Sequence, residues 1–170
     1  MRGLIAVMGL LALLAGCAGT GERAAQPTGT RDAQVAMSSI AALDTGKFAG
    51  RWYEVAGFVP EGASCTIGAV TFAPQRSGDL TVTEGPCADG RPVQGVARRI
   101  GPGRYAFKGE ELWVLWVDGE YHTAVIGYPS GAAHVLSRDL VLPPDRRAAV
   151  EGILSWNGYD VSRLRPARRR

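Results

Sequence analysis

Two histidines and three cysteines are all that this 170-residue chain holds of the residues that make soft metal sites and thiol chemistry. They occur in no Cys-x-x-Cys and no His-Glu-x-x-His, so nothing points to a zinc centre or a dithiol redox pair. Gly-x-Ser-x-Gly is absent too, which removes the nucleophile elbow of a serine hydrolase. Gly101-Pro102-Gly103-Arg104-Tyr105-Ala106 superficially fits a dinucleotide fingerprint. No helical pattern follows it and a Pro sits in its turn, so it reads as a hairpin connection. No segment repeats and the composition keeps one regime, which argues for a single domain. The net charge is only +3. Much of the surplus gathers in Arg163, Arg165, Arg168, Arg169 and Arg170. With no nucleic-acid-binding pattern beside it, the basic tail 166–170 reads as a solvated end or a weak contact with anionic lipid.

The one long apolar run, residues 4–14, is short for a bilayer span. It follows Arg2 and leads directly into Leu14-Ala15-Gly16-Cys17, the pattern of a secretory signal peptide with a small-residue cleavage site. With Cys at the first mature position, the junction resembles the bacterial lipobox. That resemblance implies loss of residues 1–16 and lipid attachment to Cys17. Two or three acyl chains then hold the protein on a membrane, at roughly 0.8 kcal/mol per buried CH₂. Ala18 in place of Asp implies the outer membrane, so the expected location is the bacterial cell envelope, lipid-anchored and facing the periplasm. Lipidation of Cys17 leaves Cys65 and Cys87 as a pair in an oxidising compartment. They flank the turn signal Pro74-Gln75-Arg76-Ser77-Gly78 symmetrically, as expected of a disulfide across a hairpin, the alternatives being two free thiols or a metal pair. Residues 17–39 are small and polar and read as a flexible tether.

From residue 40 to 165 the chain reads as one all-β domain. Short apolar-alternating runs at 52–59, 66–73, 80–83, 93–100, 104–108, 112–117, 123–128 and 132–137 are split by Gly and Pro. That spacing predicts an antiparallel sandwich or barrel rather than βαβ units. One helix is expected after them. Pro143-Pro144-Asp145 opens it, Val150, Ile153, Leu154 and Asn157 share one face, and Gly158 closes it.

Three blocks resemble the lipocalins, in the family's order. They are Gly50-Arg51-Trp52-Tyr53-Glu54, Asp118-Gly119-Glu120-Tyr121 followed by Ala124-Val125-Ile126, and Leu136-Ser137-Arg138-Asp139. Gly158-Tyr159-Asp160-Val161-Ser162-Arg163-Leu164 is similar to the segment after the helix in bacterial lipocalins and apolipoprotein D. The chain departs from the pattern at His134, where an aromatic is usual, and at Val117, where Thr is usual. The resemblance implies an eight-stranded antiparallel up-and-down barrel with one C-terminal α-helix packed outside. It also implies that Trp52 forms the barrel floor, covered by Arg138.

Strand parity then lines the cup. With Arg138 inward, Leu136 and His134 face inward; with Trp52 inward, so do Glu54 and Ala56. The match adds Val70, Phe72, Val82, Ala124, Ile126 and Tyr128. The expected ligand-binding set is therefore Glu54, Val70, Phe72, Val82, Ala124, Ile126, Tyr128, His134 and Leu136. His122 sits in a turn and is expected in solvent. The function implied is binding or carriage of a small hydrophobic or amphiphilic molecule, such as a fatty acid or lysophospholipid. No cofactor, metal or nucleic acid is called for. Two alternatives use His134: an acid–base pair with Glu54 in a lipocalin-fold enzyme, or ligation of haem. A third is a structural envelope lipoprotein with a filled barrel.

Overall fold

A computed structural model describes residues 29–58, 68–85 and 91–167. One helical turn, α1 (Thr45–Phe48), precedes nine strands and a second helix. The strands are β1 (Gly50–Phe58), β2 (Ala69–Pro74), β3 (Leu80–Glu84), β4 (Val93–Gly101), β5 (Arg104–Phe107), β6 (Glu110–Val117), β7 (Thr123–Gly127), β8 (Ala133–Ser137) and β9 (Arg165–Pro166). Helix α2 (Pro144–Trp156) lies between β8 and β9. Each of the first seven strands pairs antiparallel with its successor, and β8 pairs with β1. The result is a closed eight-stranded barrel with β9 added to β1 and α2 packed outside. Closure removes every free edge except the stretch of β1 that β9 covers.

Antiparallel alternation sorts the connections to two ends. The turns at 75–79, 102–103 and 118–122 lie at one end with α1, which we call the floor. The end of β1, the starts of β2 and β4, the end of β3 and the turns at 108–109 and 128–132 lie at the other, the mouth. The β2–β3 hairpin runs from Val70↔Glu84 to Pro74↔Leu80, which centres it on Ser77, one residue from the centre read in the sequence. Cys17, Cys65 and Cys87 lie outside the described residues.

Two cores share the barrel wall. Trp52, Val70, Phe72, Val82, Ala124, Ile126 and Leu136 belong to the cluster inside. Val125, Val135, Val150, Leu154 and Tyr159 belong to the cluster between the wall and α2. Alternation along β7 and β8 divides these sets as strand geometry requires. Ala56 departs from its expected inward position: it packs in the outer cluster with Phe58. A bulge between Glu54 and Ala56 inserts one residue and inverts the parity beyond it.

The floor is held by side chains. Trp52 is fully buried and its indole N–H donates to the Phe48 carbonyl at 2.9 Å. The Arg138 guanidinium lies over the indole, 3.8 Å from the ring centroid. Arg138 Nη1 donates to the Arg51 carbonyl at 2.7 Å, and Nη2 donates to those of Ala49 at 2.8 Å and Lys47 at 2.9 Å. Its Nε reaches the Tyr121 carbonyl at 3.3 Å. Arg138 thus serves the carbonyls at the end of α1, which a helix leaves unpaired, with a cation where the helix dipole favours one. Gly50, at φ +94°, leaves it room; a Cβ there would stand 3.3 Å from Nη1.

Residues 29–39 are not the flexible tether that composition indicates. They form a strap along the outer wall. Thr30 Oγ1 donates to the Gly131 carbonyl at 2.6 Å, Arg31 bridges Tyr159, and the Asp32 N–H donates to the Gly158 carbonyl. The buried Asn157 accepts the Ser38 N–H at 2.7 Å, Ser39 donates to Pro102, and the Ile40 N–H reaches Val114. These partners run from the mouth to the floor. Composition counts only the apolar content, whereas backbone hydrogen bonds to neighbouring loops dock this strap. Gly158 makes the contact possible. Its φ is +84°, and a Cβ would lie 2.8 Å from Val35 Cβ and 3.0 Å from the Asp32 carbonyl oxygen.

Trp52→Ala is expected to lose about 3–5 kcal/mol of stability, the cost of deleting a buried aromatic. Chemical denaturation checks this, and a midpoint close to wild type would contradict the role given to Trp52. Gly158→Ala is expected to lose about 1 kcal/mol or more through backbone strain. Limited proteolysis should then cut first between residues 29 and 40.

Candidate functional site

The interior brings together most of the residues that the sequence marks. Val70 and Phe72 come from β2, Val82 from β3, Ala124 and Ile126 from β7, Tyr128 from the end of β7 and Leu136 from β8. All are buried, in one cluster with Trp52. Strand β5 adds Tyr105 and Phe107, and β6 adds Leu112 and Val114. These four escaped the reading of the sequence, although their i, i+2 spacing in Arg104–Phe107 and Glu110–Val117 carries the same signal. The floor third is aromatic: Phe48 lies 5.3 Å from Trp52 and 4.7 Å from Phe72 between ring centroids.

The polar groups lie toward the mouth. Glu54 Oε1 and His134 Nδ1 are 2.7 Å apart, with side chains 3% and 13% exposed. Gly57 permits this, because a Cβ there would stand 2.7 Å from Glu54 Oε1 and 2.8 Å from the Ala133 carbonyl oxygen. The Tyr128 ring meets His134 edge-on at 5.9 Å between centroids. Burial, followed by the charges of Glu84, Glu110 and Glu54, raises the Tyr128 hydroxyl far above the usual phenol range, so it stays protonated.

A second polar pair was missed. Glu84 ends the alternation Leu80-Val82-Glu84 and is buried with it, against a salt bridge to Lys108. Lys108 sits in the β5–β6 turn at φ +51°, with its side chain 43% exposed. Its ammonium also lies 5.2 Å from the Phe107 ring centroid. The period-2 pattern of β3 contains Glu84, but nothing local in the sequence names a partner 24 residues away.

Outside the wall, Tyr159 fastens the segment after α2 to the mouth. Its hydroxyl proton is shared between the carbonyls of Tyr128 at 3.0 Å and Ala132 at 3.1 Å, and its oxygen accepts the Tyr128 N–H at 3.0 Å. Burial pushes its pKa up to about 12. His122 is exposed in the β6–β7 turn. Among the described residues no group of three or more His, Cys, Asp or Glu is placed to hold a metal ion.

Comparison with known proteins agrees with this geometry. The chain is 25% identical over 151 residues to temperature-induced lipocalin-1 of Arabidopsis thaliana, covering 75% of this chain and 80% of that protein. Among solved structures it resembles the cockroach allergen Per a 4, with a TM-score of 0.60 at 12% identity over 79% of this chain and 92% of that one. The bovine lipocalin allergen Bos d 2 also superposes with a TM-score of 0.60, at 15% identity over 73% of this chain and 94% of that one. Apocrustacyanin C2 gives 0.55 at 14% identity, over 79% and 91%. At these identities the solved structures speak for the fold. The family model described as a lipocalin-like domain matches residues 43–169, which take in every strand of the barrel and its helix, and the chain therefore belongs to the lipocalin family.

Proposed function

We propose that this lipocalin binds and carries a small hydrophobic or amphiphilic molecule in a bacterial cell envelope. The observation that carries this reading is the division inside the barrel. Val70, Phe72, Val82, Ala124, Ile126 and Leu136 form a continuous apolar lining, and Glu54, His134, Glu84 and Lys108 are confined to the mouth half. Apolar walls with a few convergent polar groups are the usual make-up of a site for such ligands. Trp52 and Arg138 close the floor and belong to the scaffold in this reading.

The anchor is the second half of the proposal. Lipid attachment at Cys17 places the barrel on a membrane, the outer one by the residue at 18, with 18–28 as the spacer ahead of the docked strap. Cys65 and Cys87 form a disulfide in this reading, since lipid attachment at Cys17 leaves them as a pair in an oxidising compartment. The resemblance of Gly158-Tyr159-Asp160-Val161-Ser162-Arg163-Leu164 to the segment after the helix in bacterial lipocalins is in keeping with that placement. Catalysis is a second reading, favoured by the Glu54–His134 contact at 2.7 Å, an arrangement that suits an acid–base pair.

The neutral fluorescent probe N-phenyl-1-naphthylamine should bind the protein and be displaced by long-chain amphiphiles. Ile126→Phe, which adds bulk to the lining, should weaken binding by about tenfold, or 1.4 kcal/mol. Unchanged affinity in that variant would place the probe elsewhere and contradict the carrier reading. Cys17→Ser should move the protein from the membrane fraction to the soluble fraction of detergent-free lysates. Continued sedimentation with membranes would remove the anchor from the proposal.

A further inference from the structure

The whole protein carries +3, yet among the described residues the inner face toward the mouth carries three acids, Glu54, Glu84 and Glu110. Glu54 and Glu84 are buried on the inner face. Glu110 stands at the rim in the alternation of Leu112 and Val114. The buried Tyr128 hydroxyl feels the negative charge of all three, Glu84 most strongly. Against them stands Lys108, already paired with Glu84. His134 is engaged by Glu54, and Arg91 on the β3–β4 connection already has a partner.

Lys108 shows what this corner accepts. Its side chain is an alkyl stem ending in an ammonium, bonded to the Glu84 carboxylate and lying over the Phe107 ring. A carboxylate and an aromatic face are together the recognition elements for a cationic head group. Lys108 is also replaceable there. It belongs to a two-residue turn and is 43% exposed, so it can swing into water without disturbing the barrel. A carboxylate-headed amphiphile meets the reverse situation. Its charge enters a partly desolvated mouth beside three acids, and the Lys108 ammonium there is already paired with Glu84.

We infer that the mouth selects amphiphiles with an ammonium head group over those ending in a carboxylate, the ligand's cation taking the place of Lys108 between Glu84 and Phe107. This rests on the carrier reading and specifies its ligand class. The tail of such a ligand lies along the apolar lining, and its head stays at the mouth.

The test is displacement of N-phenyl-1-naphthylamine by dodecylamine, lauric acid and dodecanol at pH 7, three molecules with the same chain and different heads. Dodecylamine is expected to displace the probe at about a tenfold lower concentration than lauric acid, the scale of one charge-assisted contact. Lys108→Met should strengthen dodecylamine, because it removes the competing ammonium. Glu84→Gln should weaken dodecylamine and leave dodecanol unchanged, with circular dichroism showing that the barrel is intact. Lauric acid acting at an equal or lower concentration, or a Lys108→Met variant that weakens dodecylamine, overturns the inference. If dodecanol displaces the probe and the three heads are indistinguishable, only the head-group selectivity falls. If none of the three displaces it, the carrier reading falls, and the head-group assignment with it.

Discussion

One guanidinium organises the closed end of this barrel. Arg138 leaves the end of β8 and donates to carbonyls of α1, of β1 and of the β6–β7 turn, while its flat face covers the Trp52 indole. Backbone pairing closes a sheet into a cylinder, but it does not stopper the cylinder. Here α1 is the stopper, and a single helical turn has too few internal hydrogen bonds to hold itself in place. Arg138 supplies them from outside, and Phe48 locks the turn against Trp52 and Phe72. With the floor fixed, the phase of β1 and β8 is fixed, and so is the set of residues that faces inward.

That phase made much of the molecule readable in advance. Eight apolar-alternating runs correspond to eight strands, and Pro144, Asp145 and Gly158 mark the ends of the helix as their chemistry requires. What escaped the sequence depends on events that periodicity does not record. The bulge after Glu54 sends Ala56 to the outer core, because one extra residue reverses a period of two. The strap at 29–39 is polar and docks by hydrogen bonds, so its composition resembles that of a linker. Glu84 and Lys108 meet because β3 and β5 end at the same rim. Strand β9 and the Ala167 N–H extend pairing along β1 into the stretch whose Arg content reads as a solvated tail.

The two cores also differ in what they ask of their residues. The outer core, beneath α2, joins solid elements and is completed by Tyr159, whose hydroxyl satisfies three backbone groups at once. Gly127 is small so that this hydroxyl can approach; a Cβ there would stand 2.5 Å from it. The inner core grades from aromatic at the floor to ionised at the rim. Among the described residues, the carboxylates on the inner face, Glu54 and Glu84, lie in its mouth half, each against a basic partner.

The strap has a consequence for how the barrel is held. Its first described contacts, from Thr30 to Gly131 and from Arg31 to Tyr159, are beside the opening, and only afterwards does the chain descend to Pro102 and the closed end. The N-terminal lead thus departs next to the mouth, although the first strand begins at the floor. The anchor proposed at Cys17 would therefore hold the barrel by its lip rather than by its base.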